Sequence, residues 1–302
     1  MFALACLAIA YGPAADPPPR DGKLDARPAS RFAVGDEREQ AVAVTRRSTY
    51  QFAGTTLTQT ARYTLTSRLV VTDLKPDGGA TVRQRVIAAD LLAADDMLWP
   101  QLAAALKQLV GTAFELTVGP TGEATTVVGL KDPLRVQQKN GPDGLSLRVG
   151  AVLDADAWKE LAGLTLFAPE AGGKPWSRPV AHDWGPFGGW AGRTTFAAKG
   201  KSADAERYDF AHALSYRPPA GGGAGLPVRL VEPRFEVLAA GGAIRFDPKA
   251  GRVTAADELF RVRGAATVVF AGQAVRVEME EEQGFEVRVR QPRDGVLKAG
   301  PK

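Results

Sequence analysis

Residues 40–74 read QAVAVTRRSTYQFAGTTLTQTARYTLTSRLVVTDL. Val42, Val44, Tyr50 and Phe52 share one parity. After Gly54-Thr55, Leu57, Ala61, Tyr63, Leu65, Leu69 and Val71 fall on one face, with Thr58, Arg62, Thr66 and Arg68 on the other. A period of two is the mark of a strand with one buried face, so the stretch predicts a long antiparallel β-hairpin. Strands of a dozen or more residues must twist or curve.

The pattern continues outward. Lys75-Pro76-Asp77-Gly78-Gly79 supplies a fixed φ and then residues tolerant of positive φ, and Val82 and Val86 alternate with Arg83 and Arg85 in a third strand. Between Asp95 and Val110 the period changes: Leu98, Leu102, Leu106 and Leu109 recur at helical spacing, Asp95 or Asp96 can cap, Pro100 sits in the first turn and Gly111 stops the run. Phe114, Leu116 and Val118 lead through Gly119-Pro120-Thr121-Gly122 into Val127 and Val128 as another hairpin. A short helix starting at Asp154 or Asp156 carries Trp158, Leu161 and Leu164. Residues 169–192 are rich in Trp, Gly and Pro, lack a period, and read as a join. Strands resume at 193–196 and 208–216, the glycine-rich 220–225 interrupts, and the last third alternates again through Phe246, Val268, Val275, Phe285 and Val289. The expected fold is α+β and mostly β, with long curved antiparallel sheets in two halves and one or two amphipathic helices. The halves are 31–168 and 193–291, and 292–302 is a tail.

Residues 2–11 form an apolar run too short to span a bilayer but of signal-peptide length, followed by small residues at Gly12, Ala14 and Ala15 and then by Pro17-Pro18-Pro19. Residues 1–15 are therefore expected to be a signal peptide cleaved near Ala14 or Ala15, and 16–30 a linker. Cys6 is the single cysteine, so the cleaved chain has neither disulfide nor thiol chemistry. The first 150 residues hold 17 basic and 15 acidic residues and the remainder 21 and 19, so the net +4 is evenly spread. An interspersed surface of this kind is no phosphate-tracking stripe, and nucleic acid is not an expected partner.

The chain offers little recognisable chemistry. His182 and His212 are its two histidines and, without a cysteine in the cleaved chain, cannot supply the usual zinc sets. His182 is adjacent to Asp183 but reads as a loop residue. His212 alternates with Phe210 and Leu214 and reads as a partly buried core histidine. Gly144-Leu145-Ser146-Leu147-Arg148 lacks the last glycine of a nucleophile elbow, and Gly172-Gly173-Lys174 runs into Pro175 where a phosphate loop needs a helix. Glu280-Glu281-Glu282 reads as a solvated strand end opposite Arg288 and Arg290, and Asp154-Ala155-Asp156 as a helix cap. No catalytic, cofactor or metal residue is expected. Trp176, Trp184, Phe187 and Trp190 form the densest aromatic cluster, read first as a plug at the seam of two sheets and second as a ligand surface. With Leu102 and Leu106 they are the candidate ligand or interface residues.

The opening Arg31-Phe32-Ala33-Val34-Gly35-Asp36, the long hairpin, the helix and Pro179-Val180-Ala181-His182-Asp183-Trp184 together resemble a class of exported bacterial β-rich proteins of unknown function. In that class the second stretch carries a glycine before the acidic residue, and here none precedes Asp183. Long curved strands with helices on one face are also distantly similar to the periplasmic lipoprotein-carrier fold, whose members hold acyl chains in a half-barrel. The resemblance implies export to the periplasm, envelope or medium and gives no activity. The long hairpins with one apolar parity and a covering helix point to a non-enzymatic role binding an apolar ligand or an envelope partner. A structural envelope protein without a small ligand, and a hydrolase with an unrecognised carboxylate site, are the alternatives.

Overall fold

The computed structural model describes residues 31–96, 99–130, 153–170, 174–183, 188–202, 204–218, 228–270 and 273–292. Among the described residues, eleven strands form one open antiparallel sheet in the order β5-β4-β3-β2-β1-β11-β10-β9-β8-β7-β6. The strands are β1 Glu37–Phe52, β2 Thr55–Leu74, β3 Ala80–Ala94, β4 Ala113–Val118, β5 Ala124–Val128, β6 Trp176–Asp183, β7 Gly189–Lys201, β8 Glu206–Arg217, β9 Val228–Asp247, β10 Arg252–Phe270 and β11 Gln273–Arg290. Helix α1 spans Trp99–Leu109 and α2 Ala155–Thr165.

The hairpin that opened the reading is β1–β2, with Val42 opposite Leu65, Val44 opposite Tyr63 and Phe52 opposite Thr55. Its two-residue turn places Ala53 and Gly54 at φ of 48° and 78°, the left-handed pair that matches the twist of the flanking strands. Over most of its length the predicted parity is the buried one, with Val42, Val44, Tyr63, Leu65, Leu69 and Val71 in the core, while Tyr50 and Leu57 near the turn are half-buried and Phe52 is exposed. The two sequence halves lie on the two sides of this sheet and are joined by hydrogen bonds from β1 to β11, Gln40 opposite Val289 through Phe52 opposite Val277. There is accordingly no seam between sheets at this join for the tryptophans to plug. Residues 169–192 also contain more than a connection, because β6 runs through them. Pro179 hid it, and Pro is tolerated there because β6 is an edge strand with a free side.

Helix α1 is shorter than expected. The Asp95 carboxylate does not cap it but accepts from the Thr60 backbone N–H on β2. Leu98 lies outside the described residues, while Leu102, Leu106 and Leu109 are buried. The helix packs chiefly on β3 rather than on the β1–β2 hairpin.

Helix α2 begins as the sequence implies, with Asp154 as N-cap accepting from Ala157 N at 2.7 Å. Its stripe of Trp158, Leu161, Ala162 and Thr165 is buried at helical spacing. At its far end Gln40 Nε2 donates to Leu161 O at 3.0 Å and Thr165 Oγ1 at 2.6 Å, and Arg38 donates to Thr165 O at 3.1 Å. The Arg38 bond satisfies a carbonyl that the helix C-terminus leaves open, and the Gln40 bonds clamp the last turn. The same helix contacts β5 and β6, the two opposite edges of the sheet, as well as β10 and β11. A sheet whose two edges reach one helix is curled around it, and α2 occupies the trough. Just beyond α2, Phe167 packs on Trp176, Phe196, Tyr208 and Phe246 from four successive strands, with ring centroids 5.3–6.4 Å apart.

The β4–β5 turn closes under this arrangement. Gly122 has φ of 87°, and a Cβ there would lie 2.0 Å from Leu166 O. Gly122→Ala is therefore expected to lose more than about 1 kcal/mol, from backbone strain together with displacement of the chain after α2. A urea melt measures it, and an unchanged midpoint would show that the turn is free to move.

Candidate functional site

The helix-covered face is not uniformly apolar. Arg178 on β6 is opposite Thr194 on β7, and Thr194 is opposite His212 on β8. The next strand, β9, passes here as Ala239-Ala240-Gly241-Gly242-Ala243, residues too small to block the space above them. The His212 ring reaches across to Glu258 on β10, Nε2 to Oε1 at 2.8 Å, while its Nδ1 lies 2.8 Å from Thr194 Oγ1. Glu160 descends from α2 to bring its Oε1 to 3.9 Å from the same Nε2. The result is a polar belt across the floor of the trough, with the His212 side chain 6% exposed, Glu258 3% and Glu160 23%.

Burial sets the charge states. It lowers the His212 pKa and favours the neutral ring. It pushes Glu258 up to about 7, against the pull of neighbouring Glu160 and the charges of His182 and Arg178. It pushes Glu160 well above the usual carboxylate range, with repulsion from Glu258 adding to the effect. A neutral His212 that gives its Nε2 proton to Glu258 takes the Thr194 hydroxyl proton at Nδ1. Glu258 Oε2 then has no hydrogen-bond donor. Arg178 lies over the Phe196 ring, 4.8 Å from its centroid, and its charge acts on Glu123, Glu160 and Glu258.

His182 is a strand residue of β6 and not a loop residue, and its acidic partner is Asp154 at 3.5 Å. Burial disfavours its charge, but the Asp154 carboxylate and the Glu160 charge outweigh that and raise its pKa from 6.5 to about 9. Folding therefore holds this proton after the unfolded chain has released it. The stabilisation is complete below about pH 6.5 and disappears as pH rises through about 9. With Asp154 44% exposed, solvent screening reduces the effect to about 1–2 kcal/mol. The stability gap between the wild type and His182→Gln should close between about pH 7 and pH 10 in paired denaturant melts; a gap independent of pH would mean that the pair contributes nothing through its charge.

Of the residues singled out from the sequence, Trp176 stacks on Phe196 at 5.3 Å at one end of the face. Trp190 is 2% exposed and packs at the other end against Tyr216 at 5.4 Å and Phe260 at 5.8 Å. Six residues along the β6–β7 pair separate them, about 20 Å, with the polar belt between. Trp184 and Phe187 lie outside the described residues. Leu106 lines a groove of about 390 Å³ with Ala89, Leu91, Ala103 and Val110, far in sequence from either tryptophan. The glutamates 280–282 do not face Arg288 and Arg290, which belong to their own strand. Glu281 pairs with Arg46 at 3.0 Å, and Glu280 pairs with Arg261. The Glu160–His212–Glu258 cluster is the feature that sequence reading missed. Its one advance signal was the small-residue run opposite a strand histidine.

No family profile and no curated protein sequence matches the chain. Among solved structures it is similar to a DUF1329 family protein from Desulfovibrio piger, at 11% identity over 86% of this chain and 87% of that one, with a TM-score of 0.16. It is also similar to a domain provisionally assigned to outer membrane lipoprotein sorting in Vibrio parahaemolyticus, at 11% identity over 86% and 87% with a TM-score of 0.14. A third is Ail, the attachment invasion locus protein of Yersinia pestis, at 7% identity over 84% and 99% with a TM-score of 0.12. Similarity at this level decides neither activity nor ligand. No described helix is long and apolar enough to cross a membrane.

Proposed function

We propose that the protein is a non-enzymatic, exported binding protein that holds an apolar, acyl-type ligand on the sheet face beyond the polar belt. One observation carries the reading. On that side of the belt Trp190, Tyr216, Phe235 and Phe260 form a connected aromatic run, with Tyr216 and Phe235 centroids 5.0 Å apart, and Tyr216, Phe235 and Phe260 are only half-buried. Val262 and Met279 floor the same region. Half-buried rings on a concave surface give a ligand large apolar area at low entropy cost, and the belt behind them supplies the few polar groups that such sites use for orientation. Exported chains of this kind meet acyl chains in the envelope, and the apolar N-terminal run supports that destination.

Native mass spectrometry of the purified chain with palmitic acid tests the reading. The expected result is one bound molecule, lost in Phe260→Glu, which places a charge among the rings. A wild type that takes up no fatty acid at saturating concentration overturns the proposal.

A further inference from the structure

We propose that Glu160, His212 and Glu258 bind a divalent transition-metal ion, zinc foremost, which fastens α2 to the floor of the trough. The inference concerns the belt, whereas the ligand reading rests on the aromatic rings, so either can fail while the other holds.

The donor set is one imidazole nitrogen and two carboxylates whose ligand atoms all lie within 4.8 Å of one another. Donors around one zinc ion at about 2.0–2.2 Å stand roughly 3.3 Å apart when tetrahedral, so a small inward movement completes the site. Glu160 is the member able to make it, being the most exposed of the three and mounted on a helix rather than in the ladder. The set suits zinc, cobalt or manganese and is too small and too nitrogenous for calcium, which takes six to eight oxygens.

A second observation points to a cation here. Glu258 Oε2 is buried on a side chain only 3% exposed and has no hydrogen-bond donor among the described residues. A buried carboxylate oxygen left in that state is costly unless something positive or protic meets it. A proton held between Glu160 and Glu258, or a dication, would meet that need.

The surroundings also suit a bound metal. A ligating histidine turns its other ring nitrogen toward a fixed acceptor, which sets the tautomer. Thr194 Oγ1, on a residue 3% exposed, is 2.8 Å from His212 Nδ1. A hydroxyl both donates and accepts, so Thr194 serves His212 without moving whether the proton is on Nδ1 or on Nε2. Three protein ligands leave a fourth position for water.

The test begins with chain stripped by EDTA, equilibrated with Zn²⁺ near pH 7.5 and desalted, with zinc measured by mass spectrometry of the digested sample. The wild type should retain one equivalent. Glu160→Gln and Glu258→Gln should each weaken retention at least tenfold, and Thr194→Val should weaken it about 10–100-fold while leaving the three ligands in place. Cobalt substitution should give visible absorption bands that vanish in Glu160→Gln. No zinc retained by a folded wild type overturns the proposal in favour of the shared proton. Retention that Glu160→Gln leaves unchanged overturns it too, because the zinc is then elsewhere. If Glu258→Gln fails to fold, Glu160→Gln and the shift of the His212 ring signals on zinc addition to the wild type decide the question.

Discussion

Trp158→Ala is expected to cost about 3–5 kcal/mol, the range for truncating a buried aromatic side chain. Trp158 is 1% exposed and meets the edge of Phe114 with ring centroids 5.1 Å apart. It stands two residues before Glu160 on α2, and at about 100° per residue the two side chains leave the helix on nearly opposite sides. Trp158 thus fixes α2 against the β4 side of the curled sheet while Glu160 meets β8 and β10. A cavity on the first side frees the helix to rock, so the loss should exceed the packing contribution alone if the belt is disturbed with it. Chemical denaturation gives the total, and the His212 ring signals report whether the belt has moved. A loss below about 1 kcal/mol would mean that α2 is held from the other side and that Trp158 merely fills space.

The strands were readable because each has one parity committed to the core. Val42 and Val44, Tyr63 and Leu65, Phe285 and Val287 lie in one buried surface, as their alternation implied. The turns were readable where residue chemistry forces them, as at Gly54 with its positive φ. Helix α2 could be placed from Asp154, since a capping carboxylate marks a boundary by a local bond. What could not be read depends on neighbours in space. β6 is concealed by Pro179, whose meaning reverses once the strand is known to be an edge. The pairing of Arg46 with Glu281 joins residues 235 apart and exists only because β1 lies beside β11. The same holds for the belt. Nothing near His212 in the chain suggests Glu258, 46 residues away, and Glu160 arrives from another element altogether. Alternation assigned His212 correctly to the buried face, but burial alone does not reveal that the face is charged there.

Leu106→Ala distinguishes the two apolar surfaces of the molecule. Leu106 is 2% exposed, Leu102 6%, and both belong to the same continuous core as the β1–β3 side chains. A leucine so enclosed loses its contacts on truncation, and the expected cost is about 2–5 kcal/mol for each variant. Leu106 also borders the groove between α1 and β3, so the site has an escape: if that groove is where the ligand sits, part of the leucine's surface already faces open space. Truncation there would forfeit fewer packing contacts, cost less, and weaken ligand instead. The aromatic run lies across the sheet on β7–β10, remote from α1, and should be indifferent to the change. Denaturant melts of Leu102→Ala and Leu106→Ala, with and without palmitic acid, should therefore show a large stability loss and an undiminished ligand-induced gain. A small loss together with a vanished gain would move the ligand site to the α1 groove and detach it from Trp190, Tyr216, Phe235 and Phe260.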